Sequence, residues 1–221
     1  MSFKSTNDFG ALAESWWDES GPLAPLHKMH PTRMRILRNW LAPSSADAGQ
    51  PLKGLKILDT GCGGGLVCES LARLGADVTG LDIDADLIAT ARAHAETQNL
   101  PISYICGDIH ELISKGRLEP ESFDAVLCLE VLEHLKTPRD FVRSCALCTR
   151  PAGDLIFSTL NRTVKARLLA VGLAEYVLGW LPRGTHDPAA FIKPHELESW
   201  ATENCCTSGD IKGITFNPLT G

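Results

Sequence analysis

A strand that passes through a glycine-rich turn directly into a helix is the feature that most constrains the fold of this chain. Residues 56–59 have a short apolar strand pattern, residues 61–65 include four glycines, and residues 66–74 carry apolar side chains at helical spacing. Glycines at such a turn leave room for a ligand to contact the backbone. The segment therefore predicts an α/β fold with a binding site for a nucleotide-type cofactor.

Alternating strand and helix patterns extend this fold along the chain. Strands are predicted over 55–59, 77–81, 102–106, 123–129 and 154–159, and helices over 64–74, 84–98, 109–114 and 138–149. Such alternation predicts a Rossmann-like, mostly parallel sheet with helices on both faces. Two further helices are predicted at the N-terminal end, over 7–17 and 32–41, with a proline-rich connection between them.

A single domain is expected to span residues 1–221, because 44% hydrophobic and 22% charged residues suit one substantial core. Within it we expect N-terminal helices (1–50), a cofactor-binding core (51–160), a helical insertion or lid after the fifth strand (161–205) and a C-terminal strand (206–221) that the chain end cuts short.

Acidic residues at two later strand ends indicate which cofactor the glycines bind. Asp82, followed by Ile83, ends the second strand about 20 residues after the glycines, where a carboxylate accepts hydrogen bonds from ribose hydroxyls. Asp108 ends the third strand, and there it can accept from an adenine amino group while Ile109 packs on the ring. Leu66 stands where a dinucleotide pattern needs a third small residue, which favours S-adenosylmethionine over NAD. Taken alone, Asp108 is equally explained as a helix cap.

Charge and cysteine usage exclude other classes of protein. The formal net charge of −6 argues against a nucleic-acid partner, since such proteins usually carry a basic excess. The eight cysteines are spread through predicted strands and helices instead of forming a compact disulfide framework, so reduced thiols are expected. No targeting peptide is visible at the start of the chain, and the expected location is therefore cytoplasmic.

A second cluster of reactive side chains follows the fourth strand. If the chain turns helically there, Glu130, Glu133 and His134 lie on one face, at the sheet edge where ligands of parallel sheets bind. Two carboxylates and an imidazole suit a divalent cation: the oxygen ligands suit Mg²⁺, the expected ion, and the imidazole also admits Zn²⁺ or another transition metal. Without metal, His134 alone can serve as a general base. The spacing is also compatible with a solvated helix start in which the acids favour the helix dipole.

These residues resemble the ubiquinone-biosynthesis O-methyltransferases of bacteria and mitochondria over nearly the whole chain. The resemblance is carried by Ser15-Trp16-Trp17-Asp18, Pro25-Leu26-His27, Asp59-Thr60-Gly61-Cys62-Gly63-Gly64-Gly65, Glu130-Val131-Leu132-Glu133-His134, Ser158-Thr159-Leu160-Asn161-Arg162, Pro182-Arg183-Gly184-Thr185-His186-Asp187, Phe191-Ile192-Lys193-Pro194 and Asn217-Pro218. One departure is Ala152, where relatives commonly have glycine; it is expected to restrict that turn.

The resemblance implies a class I methyltransferase fold and methyl transfer from S-adenosylmethionine to a phenolic hydroxyl of a polyprenylated catechol, at two steps of ubiquinone synthesis. It further implies catalytic and metal-binding roles for Glu130, Glu133 and His134. Arg33 would contact the methionine carboxylate of the cofactor. The full set predicted to bind the cofactor is Arg33, Asp59, Gly61, Gly63, Gly65, Asp82, Ile83, Asp108, Ile109 and Leu129.

An apolar segment over 164–183 suggests how a polyprenyl substrate is reached. It carries basic residues at its ends and is too short to span a bilayer, which predicts peripheral contact with the inner membrane or, alternatively, a lid packed over the site. A complex with other proteins of quinone synthesis is a further expectation. Two other functions stay open from the residues: a metal-free methyltransferase for another small phenol or amine, and a non-catalytic scaffold that keeps the cofactor site.

Overall fold

Among the described residues, five parallel strands form the centre of the structure, a computed structural model that describes residues 9–42, 49–159 and 192–214. The strands are β1 (Lys56–Thr60), β2 (Asp77–Asp82), β3 (Ser103–Cys106), β4 (Phe123–Leu129) and β5 (Thr149–Ser158). Their order is β3-β2-β1-β4-β5, and every pair is parallel. The strand order reverses between β1 and β4, so the crevice at their carboxyl ends is where a ligand of such a sheet binds. The predicted parallel sheet is confirmed.

Helices cover both faces of this sheet, as the alternating pattern predicted. They are α1 (Ala24–Leu41), α2 (Leu66–Arg73), α3 (Ala85–Thr97), α4 (Ile109–Ser114), α5 (Pro138–Cys148) and α6 (Pro194–Thr202), with 3₁₀ helices at Phe9–Ser15 and Leu132–His134. Successive side chains of a strand point to opposite faces. Ile57 therefore packs with α1, α2 and α3, while Leu58 packs with α4, α5 and α6.

The N-terminal region differs from its predicted helices. Residues 9–15 form a 3₁₀ helix, and α1 begins at Ala24 instead of near Thr32. Pro25 is tolerated because the first turn of a helix has no partner for its N–H group. Pro31 lies inside the helix and removes one backbone hydrogen bond. The helix continues because its inner face is held by tertiary contacts, such as the bond between His30 Nε2 and Ser70 Oγ at 2.7 Å.

The C-terminal predictions are only partly covered by the structure. Residues 160–191, which include the predicted membrane segment, lie outside the described residues, and α6 is the described part of the predicted insertion. The predicted strand over 206–221 is not formed in its described part, because residues 206–214 run as irregular backbone. A search of the described helices for one with the length and apolar character to cross a membrane finds none.

Candidate cofactor and acceptor site

The glycine loop closes tightly over the ends of β1 and β2. The N–H groups of Gly61 and Cys62 both donate to the carbonyl of Leu81, at 2.6 and 3.0 Å. Gly61 has a φ of +73°, and a Cβ on it would come within 2.3 Å of Val131 Cγ2. A side chain is therefore excluded both by the left-handed backbone and by lack of space. The predicted strand-loop-helix turn is confirmed, with Gly65 as the left-handed residue that precedes α2.

Asp82 ties the glycine loop to the end of β2. Its Oδ2 accepts a hydrogen bond from the Gly63 N–H at 2.9 Å, and its Oδ1 accepts from the Asp84 N–H at 3.0 Å. Burial raises the pKa of Asp82, while these backbone N–H donors oppose that rise. A carboxylate has about four acceptor positions. Two are used here, so Asp82 keeps acceptor capacity for the ribose hydroxyls that the sequence predicted it to bind.

Asp59 lies beneath the loop and not on its surface. Only 2% of the residue is exposed, and its Oδ2 accepts from the Cys68 thiol at 3.3 Å. Burial raises the pKa of Asp59 to about 6, and the hydrogen bond from Cys68 and the charge of Arg33 oppose the rise. The residue predicted to bind the cofactor is thus hydrogen-bonded to α2, the helix that follows the glycine loop, and its cofactor contact stays a prediction.

Arg33 brings a buried positive charge from α1 to this crevice. The residue is 5% exposed, and its Nη2 lies 3.5 Å from Glu130 Oε1. Its Nε and Nη2 have no hydrogen-bond partner among the described residues. Buried donors without acceptors are costly, by about 1–3 kcal/mol each. A ligand carboxylate would satisfy them bidentately, which fits the predicted contact between Arg33 and the methionine part of S-adenosylmethionine.

Asp108, which follows the third strand, caps the helix that begins after it, as the alternative interpretation of this residue predicted. Its Oδ1 accepts from the N–H groups of His110 and Glu111, at 2.9 and 3.1 Å, and so begins α4. Ile109 is 1% exposed and packs in the core with Leu112, which differs from the prediction that it packs on an adenine ring. The exposed apolar side chain at this edge is Ile83, at 40%. The adenine contact of Asp108 and the cofactor contact of Ile83 stay predictions.

The loop after β4 does not form the predicted metal face. Glu130 has a φ of +57°, so the chain leaves the strand in a left-handed conformation and the 3₁₀ helix starts only at Leu132. The Glu130 carboxylate accepts from Ser158 Oγ at 2.8 Å, and Glu133 Oε2 accepts from Thr159 Oγ1 at 2.9 Å. No group of three or more His, Cys, Asp or Glu side chains within the described ranges fits a metal ion.

The one-face arrangement of Glu130, Glu133 and His134 is therefore wrong in this structure, for a physical reason. The prediction assumed a helical turn that begins at Glu130, but a left-handed residue breaks the helical offsets on which it depended. Both carboxylates instead accept from hydroxyl groups at the end of β5. Leu129, at the last position of β4, pairs with Ser158, and its cofactor contact stays a prediction.

Two tryptophans place the N-terminal segment over the glycine loop. The Trp16 indole is 8% exposed and packs so closely that a Cβ on Gly63 or Gly64 would meet it within 2.4 Å. Trp17 stacks on His94, with ring centroids 3.5 Å apart and an angle of 9° between the planes.

His94 and Glu69 hold this cover and were absent from the predicted site residues. Glu69 is fully buried, and its carboxylate contacts His94 Nδ1 at 2.6 Å and Arg73 Nη2 at 2.9 Å. The three residues come from α2 and α3. No local spacing could have revealed the contact between Glu69 and His94, because packing of two helices creates it.

Strand order and loop geometry define the class of this protein. The strand order, with a glycine loop after β1 and an acid at the end of β2 that bonds to that loop, is that of a class I S-adenosylmethionine-dependent methyltransferase, and the cofactor contacts of Asp82 and the buried Arg33 stay predictions. A family model described as a methyltransferase domain matches residues 58–157. The fold is also that of a solved S-adenosylmethionine-dependent methyltransferase from Aquifex aeolicus, with 13% identity, a TM-score of 0.63 and coverage of 93% of this chain and 92% of that one.

Curated relatives narrow the class to a family. The chain is 43% identical to a ubiquinone biosynthesis O-methyltransferase from Coxiella burnetii over 96% of its own length and 85% of the relative's. It is 44% identical to the enzyme of the same name from Idiomarina loihiensis, with coverage of 96% and 83%. The chain belongs to the ubiquinone biosynthesis O-methyltransferase family. It is a methyltransferase enzyme, as its sequence predicted.

Proposed function

We propose that this enzyme transfers the methyl group of S-adenosylmethionine to a phenolic hydroxyl of polyprenylated catechol intermediates, of the 2-polyprenyl-6-hydroxyphenol and 3-demethylubiquinol types. The observation that carries the proposal is identity of 43% over 96% of the chain to a relative named for O-methylation in ubiquinone biosynthesis. Support from the site itself is the buried Arg33 with unsatisfied N–H groups beside the glycine loop. This combination suits the charged amino-acid end of the cofactor.

One group of the site residues would bind the cofactor, and a second group would contact the acceptor. The glycine loop and Asp82 would hold the ribose end, and Arg33 would hold the carboxylate. When bound, S-adenosylmethionine supplies a methyl group on a positively charged sulfur. The acceptor would enter at the carboxyl ends of β4 and β5, which carry Glu130, Glu133 and His134. His134 is the candidate base for the phenolic proton, and rate enhancement would come mainly from orientation of the oxygen.

No step of this mechanism runs through a metal ion, because the described arrangement of Glu130, Glu133 and His134 does not fit one. The requirement for a divalent cation such as Mg²⁺ stays a prediction from the family resemblance. It is tested by measuring turnover after chelation and after Mg²⁺ or Zn²⁺ is restored. Chelator-insensitive turnover would leave His134 as the base without metal assistance.

The experiment that tests the function is methyl transfer to a short-chain polyprenyl catechol with purified enzyme. A matched catechol without the prenyl tail, and a simple phenol and amine, are the comparison acceptors. We expect turnover of the prenylated catechol at a kcat/KM at least tenfold above the others. Preference for a simple phenol or amine would indicate another methyltransferase activity. Cofactor binding without turnover of any acceptor would indicate the scaffold alternative.

Membrane contact and protein partners stay separate proposals. The segment 164–183 that would contact the inner membrane lies outside the described residues. Its test is flotation with liposomes that contain anionic lipid, with Leu178, Trp180 and Leu181 replaced by Ser in the variant. Equal flotation of both proteins would remove the membrane hypothesis. Association with other enzymes of quinone synthesis would be tested by co-purification from cells, and no nucleic-acid partner is expected.

A further inference from the structure

Arg33 and Glu130 connect two elements that the sequence separates by almost a hundred residues. Arg33 comes from α1 and Glu130 from the residue directly after β4. Their side chains meet at 3.5 Å between Nη2 and Oε1, with 6% and 31% of the side chains exposed. The ion pair is therefore shielded on the arginine side and open on the glutamate side. Shielding makes such a contact stronger than a surface pair.

The Glu130 carboxylate is itself held in place from β5. Ser158 Oγ donates to Oε1 at 2.8 Å, and the Glu130 N–H donates to the Ser158 carbonyl at 2.9 Å. Glu130 also keeps a left-handed φ of +57°, which costs a non-glycine residue roughly 1–2 kcal/mol. Strain of this kind persists where the surrounding contacts fix the residue, and it clusters at functional sites.

Arg33 needs such a partner because its side chain is long and no hydrogen bond from Nε or Nη2 to the described residues fixes it: the contact of Nη2 with Glu130 at 3.5 Å is an ion pair and not a hydrogen bond. Nε and Nη2 lack hydrogen-bond partners among the described residues. The nearby buried Asp59 feels the charge of Arg33, yet it accepts its hydrogen bond from Cys68. Glu130 therefore supplies the ion-pair contact that fixes where the guanidinium points.

We propose that Glu130 is a positioning residue, which aims the Arg33 guanidinium at the carboxylate of the cofactor's methionine part. This inference rests on the proposed cofactor site, and it gives Glu130 a role that requires no metal ion. Both contacts of the Glu130 carboxylate, with Ser158 and with Arg33, use Oε1. In the positioning role, the observed contacts are the working ones.

The test compares two ligands that differ in the group that Arg33 would bind. S-adenosylhomocysteine carries the amino-acid carboxylate, whereas 5′-methylthioadenosine lacks the amino-acid part altogether. Calorimetric Kd values for both are measured in chelator and again in Mg²⁺, without any acceptor. For Glu130→Gln we expect about a tenfold weaker Kd for S-adenosylhomocysteine, equal in both buffers, and a change below twofold for 5′-methylthioadenosine.

Three further variants make the comparison quantitative. Arg33→Lys should lose more affinity for S-adenosylhomocysteine than Glu130→Gln, and the double variant should lose less than the product of the two changes, because the residues act together. Ser158→Ala should give a smaller loss in the same direction. Glu111→Gln is the matched control, since Glu111 is an exposed glutamate paired with Lys115, and it should change neither Kd.

Several results would overturn the proposal, and they are distinguishable from failure of the proposed reaction. Equal weakening of both ligands by Glu130→Gln would indicate a structural effect. A loss seen in Mg²⁺ but abolished by chelator would indicate a metal ligand. No binding of either ligand to the wild-type protein would remove the cofactor site itself. A catechol that is not methylated, by contrast, leaves these binding results unchanged.

Discussion

The ends of β1 and β4 have the same left-handed backbone conformation but different residues in that position. The two strands are neighbours, and each leaves the sheet through a left-handed residue, Gly61 with a φ of +73° and Glu130 with a φ of +57°. Gly61 is required because the side chain of Val131, the residue after Glu130, fills the space where a Cβ would be. Glu130 keeps the same conformation only because Ser158 and Arg33 hold its backbone and carboxylate.

The contrast between Gly61 and Glu130 shows when a backbone conformation at a site can be predicted from the sequence. A glycine is informative by itself, because a residue without a side chain is the usual choice where the backbone is left-handed. A glutamate in the same conformation gives no such signal, since its backbone is decided by contacts with distant residues. Substitutions at the two strand ends can therefore test each end separately.

Replacement of Gly61 by alanine should have the largest effect. The new Cβ would meet Val131 Cγ2 within 2.3 Å and would adopt a left-handed backbone, so we expect a loss of about 3 kcal/mol in the free energy of unfolding and weak cofactor binding. Denaturant unfolding and calorimetry measure both. The matched control is Gly116→Ala, which has a φ of +66° but open space, and should lose only about 1 kcal/mol. Equal losses would show that the contact with Val131 is unimportant.

Asp59 beneath the β1 end should give a pH dependence of stability. Because burial raises its pKa from 3.8 to about 6 in the folded protein, the folded state favours the protonated form. Its contribution is therefore most favourable at low pH and is lost as the pH rises from about 4 through 6, by about 2–3 kcal/mol. Asp59→Asn cannot ionise. The difference in unfolding free energy between this variant and wild type should therefore grow in favour of the variant between pH 4 and 7, and a constant difference would contradict the account.

Replacement of His94 should weaken the packing of the N-terminal tryptophans, Trp16 and Trp17, over the end of β1. Replacement by leucine removes one ion-pair partner of the fully buried Glu69 and leaves Arg73, so we expect a loss of about 2 kcal/mol in the free energy of unfolding, partly restored when Glu69 is also changed to Gln. Urea unfolding of the single and double variants measures the coupling. As a contrast, Lys115→Leu breaks the exposed pair with Glu111 and should leave the free energy of unfolding almost unchanged. Similar costs for the two variants would remove the special role of His94.

The smallest effect is expected at the end of β4, where two substitutions of Glu130 distinguish the contribution of its backbone conformation from that of its carboxylate. Glu130→Gly should be about 1 kcal/mol more stable than Glu130→Ala, because glycine relieves the left-handed strain, while both should bind S-adenosylhomocysteine equally weakly. Ala152, with a φ of +61°, provides the control: Ala152→Gly should gain about 1 kcal/mol with no change in cofactor affinity. Thermal unfolding and calorimetry measure the two properties. Recovery of affinity in Glu130→Gly alone would mean that backbone shape, not the carboxylate, serves Arg33.

Much of the fold could be predicted because its signals are local. The five strands, the helices between them and the glycine loop follow from apolar periodicity and from residues that only one backbone conformation suits. The prolines near the N-terminal end are also a local signal, and they led to a predicted helix start that was too late in the chain. They lower the local preference for helix, but α1 is held by contacts of His30 and Leu37 with other elements.

The parallel sheet, the glycine loop, the acid at the end of β2 and membership of the methyltransferase family could all be recognised from the sequence, since each depends on residues close together in the chain. Tertiary structure alone decided that Glu130 faces Arg33 and Ser158, that Ile109 is core, and that Glu69 holds His94 beneath Trp17. The physical reason is that an ion pair, a stacked ring or a buried side chain depends on how distant elements pack, and no local spacing encodes that packing.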